Sequence, residues 1–296
     1  MTGFICIDKP ENMTSFTAAN LVKRITGSKK AGHTGTLDPM ATGVLTVALS
    51  GATRFIELIP DHEKSYTARI LLGVTTDTLD ITGTVTGSFP VSVTPCEAKE
   101  AALSFYGEQL QTPPMYSAVS KDGVRLYDLA RQGKEIEREK RKINITEIRA
   151  YDFSDNEFSL DVTCSAGTYI RSLADDIGKK LGCGAVLKSL RRTRANGFST
   201  DDCITIENLR EICENGELGN YVMPVSRVLS QYKEVHVTAA QAVRFKNGGE
   251  LFLDRIGNPK GDGFFRVFSP ENEFLGIGEK NVETGCLAVK RVLQGE

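Results

Sequence analysis

The sequence of 296 residues has no run of the ~18 consecutive apolar residues that a membrane-spanning helix requires. Its early apolar run, residues 4–7, is short and is followed at once by Asp8, so we expect no signal peptide. The formal charge of -2 is almost balanced, and a composition with 40% hydrophobic and 25% charged residues is close to the globular average. We therefore expect a soluble, cytoplasmic protein.

The seven cysteines are widely scattered. Their number is odd, no two form a C-x-x-C pair, and none lies near the three histidines, so neither a disulfide framework nor a zinc site is indicated. Asp77 and Asp80 suggest a metal pair, but two acids without a third ligand make a poor site. We expect no metal and no other cofactor.

The small net charge argues against a generally basic protein that coats nucleic acid, but it hides two local basic stretches. Residues 13–37 contain four lysines or arginines, residues 179–194 contain six, and neither stretch contains an acid. Both stretches are consistent with contacts to RNA phosphates. Each stretch taken alone is as consistent with an ordinary solvated face.

Hydrophobic periodicity predicts a larger α+β domain over residues 1–231. Strand-like runs and amphipathic helices occur without the regular βαβ alternation of a doubly wound fold, so we expect a mixed, largely antiparallel sheet. The first helix should be capped by Ser15 and stop at Gly27, and the second should open with a capping box between Thr94 and Glu97.

Two segments differ from this pattern. Residues 112–142 are interrupted by proline and rich in charges of both signs, which predicts a protruding, RNA-contacting segment rather than core. Residues 232–296 contain a short helix ended by Gly248-Gly249 and short strands separated by Gly and Asn. This second segment is predicted to form a separate, small β-rich domain.

A glycine-rich loop, residues 32–45, presents a single carboxylate. Its glycines permit tight turns, and Pro39 pushes Asp38 toward an extended conformation, so the loop should be stiff. An Asp before Pro in such a loop is also ordinary turn chemistry. Asp38 is therefore a candidate catalytic group only if a second motif supports it.

The second motif is Gly-Thr-Tyr-Ile-Arg-Ser-Leu at residues 167–173. It places Arg171 in the first turn of a helix, roughly 100° from the apolar stripe, where the helix dipole disfavours a cation. A guanidinium there could hold a carboxylate at two points, lower its pKa and fix its orientation. The local alternative is a surface arginine that pairs with Asp175.

Together the two motifs resemble the TruB family of tRNA pseudouridine(55) synthases, and the resemblance extends over about residues 3–230. The further matching motifs are Asp8-Lys9-Pro10 with Thr14-Ser15-Phe16, Lys64-Ser65-Tyr66, residues 73–83, Pro113-Pro114-Met115-Tyr116-Ser117-Ala118 and Leu190-Arg191-Arg192-Thr193. The C-terminal domain resembles a PUA-type RNA-binding domain. The implied fold is a pseudouridine synthase catalytic domain followed by a PUA-like domain.

The resemblance also implies roles for individual residues. Asp38 would be the catalytic carboxylate, Arg171 its ion-pair partner, Tyr66 the ring that packs on the target base, and His33 a residue inserted into the RNA loop. The remaining substrate-binding candidates are Lys9, Lys64, Leu190, Arg191 and Arg192. By residue type alone, Lys64 is equally a solvated lysine, Leu190 a core residue, and His33 a residue bonded to the backbone.

The implied reaction isomerises uridine 55 in the T-loop of tRNA to pseudouridine. The N1 glycosidic bond breaks, the uracil turns, and it rejoins the sugar through C5, which requires a carboxylate beside the sugar or C6 and a base for the C5 proton. Tyr66 is the nearest candidate for that base by analogy. The target base must leave its stack, and an aromatic platform offsets about 1–3 kcal/mol of this cost.

Three other functions fit parts of the sequence. A guide-RNA-dependent pseudouridine synthase of ribosomal RNA shares the motifs, but the short N-terminus and modest C-terminal domain favour a stand-alone enzyme. An RNA-binding protein without catalysis would not need Asp38, Tyr66 and Arg171 together. A sugar hydrolase would need a paired acid, for which no motif is present. We expect a monomer that acts on the T-stem-loop of tRNA without an obligatory protein partner.

Overall fold

The computed structural model describes residues 1–60, 63–117, 120–121, 123–134 and 136–294. Its strands are β1 (Gly3–Lys9), β2 (Ala31–His33), β3 (Thr42–Leu49), β4 (Lys64–Leu72), β5 (Val74–Thr76), β6 (Val85–Ser88), β7 (Gly107–Gln111), β8 (Ser120–Lys121), β9 (Val124–Arg125), β10 (Arg141–Ser154), β11 (Glu157–Cys164), β12 (Ala185–Ala195), β13 (Phe198–Ser199), β14 (Lys233–His236), β15 (Leu251–Phe252), β16 (Phe264–Phe268), β17 (Phe274–Asn281) and β18 (Cys286–Val292). Its α-helices are α1 (Ser15–Ile25), α2 (Pro95–Leu103), α3 (Leu126–Arg131), α4 (Ile170–Leu181), α5 (Ile206–Glu214), α6 (Val225–Val228) and α7 (Ala239–Lys246). Among these residues, no helix combines the length and apolarity needed to cross a membrane.

The large sheet has the strand order β1-β3-β12-β4-β11-β10-β7, with β2 paired to β3 and β13 paired to β12. Every neighbouring pair in this order is antiparallel except β12 with β3, which is parallel. The predicted α+β fold with a mixed, largely antiparallel sheet is therefore confirmed.

Helix α4 packs on the large sheet through its apolar face. Leu173 and Ile177 are buried in one core with Ile70 of β4 and Leu160 of β11. Burying one such side chain fully stabilises the fold by about 1.5–3 kcal/mol. The packing fixes the first turn of α4, and Arg171 with it, relative to the sheet.

The parallel contact between β3 and β12 requires glycine at position 43. Gly43 has φ +98°, and a Cβ there would lie 2.2 Å from the carbonyl oxygen of Arg192. No side chain fits such a gap, and positive φ is strained for other residues. Gly43 therefore lets β12 run directly against the end of the glycine-rich loop.

A second sheet, in the order β14-β16-β17-β18-β15, forms the C-terminal part of the chain together with α7. It shares a hydrophobic cluster with the larger part, in which Phe55 contacts Phe274 and Ile277 is completely buried. The hydroxyl of Tyr232 donates to the carbonyl of Leu58 at 2.9 Å. The two parts are thus joined by packed side chains as well as by the chain itself.

The expected cap of the first helix is wrong. Thr14 caps α1 by accepting a hydrogen bond from the backbone N–H of Thr17 at 3.0 Å, and the helix ends at Ile25. Ser15 instead is buried: its hydroxyl accepts from the N–H of Leu37 at 2.7 Å and donates to the Leu37 carbonyl at 3.0 Å. The capping box of α2, between Thr94 and Glu97, is confirmed.

Residues 112–142 are only partly as predicted. They include the hairpin of β8 and β9 and helix α3, yet Met115 and Leu126 are buried, because apolar residues between the charges turn toward the protein. The expectation that this segment contributes nothing to the core is therefore wrong. Ala118 of the Pro-Pro-Met-Tyr-Ser-Ala motif lies outside the described residues.

Candidate active site

Asp38 lies on the loop of residues 34–41 that joins β2 to β3. The Asp38 carbonyl accepts from the N–H of Ala41 at 3.0 Å, which closes a tight turn over Pro39. Ser15 holds Leu37 through the two hydrogen bonds described above. The carboxylate is thereby held at the cavity by contacts on the neighbouring residues of the loop.

Arg171 meets Asp38 along the edge of its guanidinium. Nη2 donates to Oδ1 at 3.2 Å, and Nε lies 2.9 Å from Oδ2. The Asp38 side chain is 33% exposed and that of Arg171 only 5%. Burial raises the pKa of Asp38, and the Arg171 cation opposes this rise. The alternative partner, Asp175, instead pairs with Lys179 at 2.6 Å.

Arg171 also binds two backbone carbonyls from different segments. Nη1 donates to Thr78 at 3.1 Å and Nη2 donates to Tyr116 at 2.8 Å. The second of these lies in the segment of residues 112–142, so one guanidinium ties that segment to Asp38. This double use of Arg171 has no signal in the sequence, because backbone acceptors leave no residue pattern.

The position of Asp80 beside Arg171 was not predicted from the sequence. It is buried, its Oδ2 lies 3.8 Å from Nη1 of Arg171, and its Oδ1 accepts from Thr78 Oγ1 at 2.9 Å and from the N–H of Thr82 at 2.9 Å. Asp77 accepts from a backbone N–H of the same turn. The two acids therefore hold a turn, and Asp80 adds negative charge beside Arg171. The acidic, threonine-rich motif at residues 76–80 was the available signal.

A cavity of about 430 Å³ opens at Asp38, a size within the range of small-molecule sites. Its lining includes Asp38, Tyr66, Arg171, Leu190 and Lys64, so the structure brings five of the predicted site residues together. Ser117, Tyr116 and Tyr127 line it from the segment of residues 112–142. The Oγ of Ser117 is buried and lacks a hydrogen-bond partner within the described residues.

Tyr66 stands on β4 opposite Arg192 of β12. Burial raises the pKa of Tyr66, while the nearby Arg192 cation opposes the rise. Tyr66 therefore lines the same cavity as the carboxylate of Asp38, with the Arg192 cation nearby.

Two of the predicted RNA contacts, Lys9 and Arg192, are buried in the structure. Lys9 is 0% exposed, and its Nζ donates to the carbonyls of Pro10 at 2.7 Å, Met13 at 2.6 Å and Pro39 at 3.3 Å. Burial lowers the pKa of Lys9 to about 8. Backbone carbonyls enclose both cations, and their predicted contacts with RNA stay predictions.

Arg191 and His33 lie outside the lining of this cavity. Arg191 is half-buried and forms a two-point ion pair with Asp8, at 3.0 and 2.8 Å. His33 is half-buried at the end of β2, and its Nδ1 has no hydrogen-bond partner among the described residues. Burial, followed by the nearby Arg192 cation, lowers the pKa of His33. Their predicted contacts with RNA stay predictions.

Comparison with known proteins agrees along the chain. The family descriptions "TruB family pseudouridylate synthase (N terminal domain)", "tRNA pseudouridylate synthase B C-terminal domain" and "Pseudouridine synthase II TruB, C-terminal" match residues 23–170, 171–230 and 234–293. The chain is 42% identical to tRNA pseudouridine synthase B of Clostridium tetani, over 96% of this chain and 97% of that protein. It is also 42% identical to the protein of the same name from Azoarcus sp., over 98% and 94%.

Solved structures are similar over the whole length as well. One protein in the crystal structure of a Cbf5-Nop10-Gar1 complex superposes with a TM-score of 0.75 and 26% identity, covering 99% of this chain and 85% of the other. A chain in the structure of an H/ACA RNP bound to a substrate RNA containing 2'-deoxyuridine superposes with a TM-score of 0.74 at 24% identity, covering 99% of this chain and 85% of the other. The second likeness is one of fold.

Proposed function

Because this chain belongs to the TruB family of pseudouridylate synthases, we propose that it converts a uridine of tRNA to pseudouridine with Asp38 as the catalytic carboxylate. The observation that carries this proposal is the two-point contact of Arg171 with Asp38 at a cavity lined by Tyr66 and Leu190. The relatives named tRNA pseudouridine synthase B support tRNA as the substrate, and the motif resemblance specifies uridine 55 of the T-loop.

Arg171 orients the carboxylate of Asp38. A two-point grip fixes the plane of the carboxylate, and the cation opposes the rise in the Asp38 pKa that burial causes, which favours the anion. The N1–C1′ bond of the uridine breaks, the uracil turns, and a C5–C1′ bond forms. The net reaction is the same whether Asp38 attacks C1′ or C6.

The turned base must lose its C5 proton, while N1 gains one. Tyr66 is the candidate for the C5 base, since it lines the cavity beside Asp38 and the Arg192 cation lies nearby. Its ring and Leu190 offer apolar surface to the uracil. Burial of the base between them replaces the stacking that is lost when it leaves the RNA helix.

The RNA itself would bind around this cavity. We assign its contacts to Lys64, Arg191 and His33, to the segment of residues 112–142, and to a PUA-like RNA-binding domain of residues 232–296 that follows a catalytic domain of residues 1–231. The chain is 42% identical over nearly its full length to relatives named tRNA pseudouridine synthase B, and in line with such an enzyme we take it to be a cytoplasmic monomer that acts without an obligatory protein partner.

The test is incubation of the purified full chain with an unmodified tRNA transcript, followed by mapping of pseudouridine. We expect one new pseudouridine, at position 55, and none with Asp38→Asn, which should still fold and bind the transcript. Lys188→Gln, on the exposed face of β12, serves as the control variant and should behave as the wild type. Modification only of ribosomal RNA in the presence of a guide RNA would favour the alternative function, and no modification of either RNA would refute the proposal.

A further inference from the structure

Arg192 is the largest of the completely buried side chains among the described residues, with only 1% of its surface exposed. We propose that Arg192 is a positioning residue of the reaction, which holds the Asp38 loop on β12 and stabilises the Tyr66 oxygen as the anion that accepts the C5 proton. This inference rests on the proposed function. It assigns to a buried arginine a part in catalysis that contact with RNA does not explain.

The strand register places Arg192 between the two reacting groups. On one side β12 pairs with β4, and Arg192 stands directly opposite Tyr66. On the other side β12 runs parallel to β3, and Arg192 stands opposite Gly43, at the end of the loop that presents Asp38. Directly opposed residues of an antiparallel pair project from the same face of the sheet. The guanidinium is thereby directed to the Tyr66 side chain.

The guanidinium also spans both ends of the Asp38 loop. Nη2 donates to the carbonyl of Gly35 at 3.1 Å and Nη1 donates to that of Thr36 at 3.3 Å. Nε donates to the carbonyl of Val44 at 2.8 Å, on the far side of the loop. A planar group with donors in a fixed fork can bridge three such acceptors, whereas an ammonium is a single point.

Holding the Asp38 loop does not by itself require a positively charged side chain that lacks a counter-ion. In the described part of the chain, Arg192 has no carboxylate partner, and its three carbonyl acceptors are neutral. A buried cation without a counter-ion is unfavourable unless another group supplies negative charge. The oxygen of Tyr66, the residue directly opposite Arg192, is the group that becomes negative when the hydroxyl loses its proton.

The attraction between Arg192 and the Tyr66 oxygen has a fixed direction. A guanidinium can only donate, so the Tyr66 oxygen can interact with it only as an acceptor, and the attraction strengthens as the oxygen becomes an anion. The charged or titratable groups around Tyr66 are Arg192 on β12, Cys164 on β11, Asp38 on the loop, and Lys64 and Arg171 in the cavity wall. Cys164 and Asp38 disfavour a phenolate, as does burial, and Arg192 counters them.

The proton transfers at C5, N1 and Tyr66 then balance. Tyr66 is a phenolate when the C5–C1′ bond has formed, and it takes the proton from C5 to become a phenol. N1 gains a proton from solvent, and Tyr66 returns its own proton to solvent after product release. The protein and its solvent therefore neither gain nor lose a proton over one cycle.

The test compares full-length wild type, Arg192→Met and Arg192→Lys in single turnovers at saturating enzyme. The substrates are tRNA transcripts whose target uridine carries either protium or deuterium at C5. We expect Arg192→Met to lose about 100-fold in rate, the size of a typical acid–base contribution, and to acquire a primary isotope effect, because C5 deprotonation becomes slowest. The pH at which the rate rises should also move upward, and Arg192→Lys should fall between Met and wild type.

Loss of loop support alone would slow the reaction without changing the isotope effect or the pH profile, and that result would overturn the proposal. A normal rate in Arg192→Met would overturn it as well. Lys188→Gln, which alters an exposed cation on the same strand, should match the wild type in all three measurements.

A second variant covers the case in which Arg192→Met does not fold. Replacing Tyr66 by a fluorinated tyrosine lowers the phenol pKa while leaving Arg192 in place, so the rising limb of the pH profile should move to lower pH. An unchanged limb would overturn the proposal. Wild type that fails to modify tRNA would instead refute the proposed function, so the two failures are distinguishable.

Discussion

The two hydrogen bonds between Ser15 and Leu37 predict that a residue of helix α1 outside the cavity lining controls the rate. Ser15→Ala removes the partner of a buried N–H and a buried carbonyl of Leu37, the residue before Asp38. Leaving such groups unpaired costs about 1–3 kcal/mol. Part of that loss will be relieved by movement of the loop, which displaces Asp38 from its position against Arg171.

A displacement of about 1 Å at the reacting groups lowers a rate by about 100-fold. We therefore expect Ser15→Ala to lower kcat by about 10- to 100-fold, with little change in KM, since the RNA-binding surfaces are untouched. The unfolding temperature should fall by about 2–12 °C, because each of the roughly 1–3 kcal/mol lost lowers it by about 2–4 °C in proteins of about 150–250 residues.

Thr14→Ala is the matched control. It removes the true cap of α1, at a cost of about 1 kcal/mol, and leaves the contacts of Leu37 intact. Thermal unfolding and single-turnover pseudouridine formation on a tRNA transcript should be measured for both variants at a temperature where both are folded. Should Ser15→Ala turn over no more slowly than Thr14→Ala, the link between α1 and the position of Asp38 is wrong.

Three further predictions concern charged side chains. Arg171→Lys should lose most activity, because an ammonium cannot reproduce the two-point contact with Asp38, and Asp175→Asn should not; near-normal kcat in the lysine variant would contradict a catalytic ion pair. His33→Phe should keep more activity than His33→Ala. Because the pKa of His33 is lowered, kcat of the wild type should show no change between about pH 6 and pH 8 that reflects titration of a histidine. A pH-dependent step in kcat that both variants abolish would make His33 an acid or base. The pKa of Lys9 is lowered from 10.5 to about 8 in the folded protein. Between these two pH values the unfolded chain binds more protons than the folded protein, so the free energy of unfolding should rise with pH. Denaturant unfolding of Lys9→Met should show a smaller rise over the same pH range.

The cluster of Asp38, Tyr66 and Arg171 could be predicted from sequence because its members belong to distinctive motifs. A cation in the first turn of a helix is unfavourable for that helix, so a partner elsewhere in the chain was expected. The structure supplies such a partner in Asp38, which is 133 positions away. The strand and helix positions were predictable for a similar reason, since period and caps are local properties.

Burial of polar side chains could not be predicted in the same way. Lys9 and Arg192 belong to motifs and basic stretches that look solvent-exposed, and both are enclosed by backbone carbonyls. Ser15 stands where a helix cap is expected, one position too late to cap α1. Carbonyl acceptors are present at every residue, so no pattern of residue types shows which of them a buried donor will meet.

The contact between the two sheets could not be predicted from the sequence for another reason. A change of composition near Tyr232 indicates where a second folding unit begins, but it carries no information about the surface the two units share. Phe55, Phe274 and Ile277 lie in one buried cluster. Deletion of the C-terminal part would therefore expose the core of the remainder, so its proposed role in RNA binding is better tested with substitutions of exposed charged residues.

The hydrophobic cluster shared by the two sheets fixes both the distance and the orientation between them. The C-terminal sheet cannot swing away from the large sheet unless Phe274 and Ile277 leave their contacts with Phe55. Any molecule that touches the C-terminal surface and also places a base beside Asp38 must span a distance set by the protein. A folded RNA holds two such points at constant separation, whereas a flexible strand of the same sequence must lose conformational entropy to do so. Under the proposed function, the joint would therefore favour an RNA of one shape before any base is read.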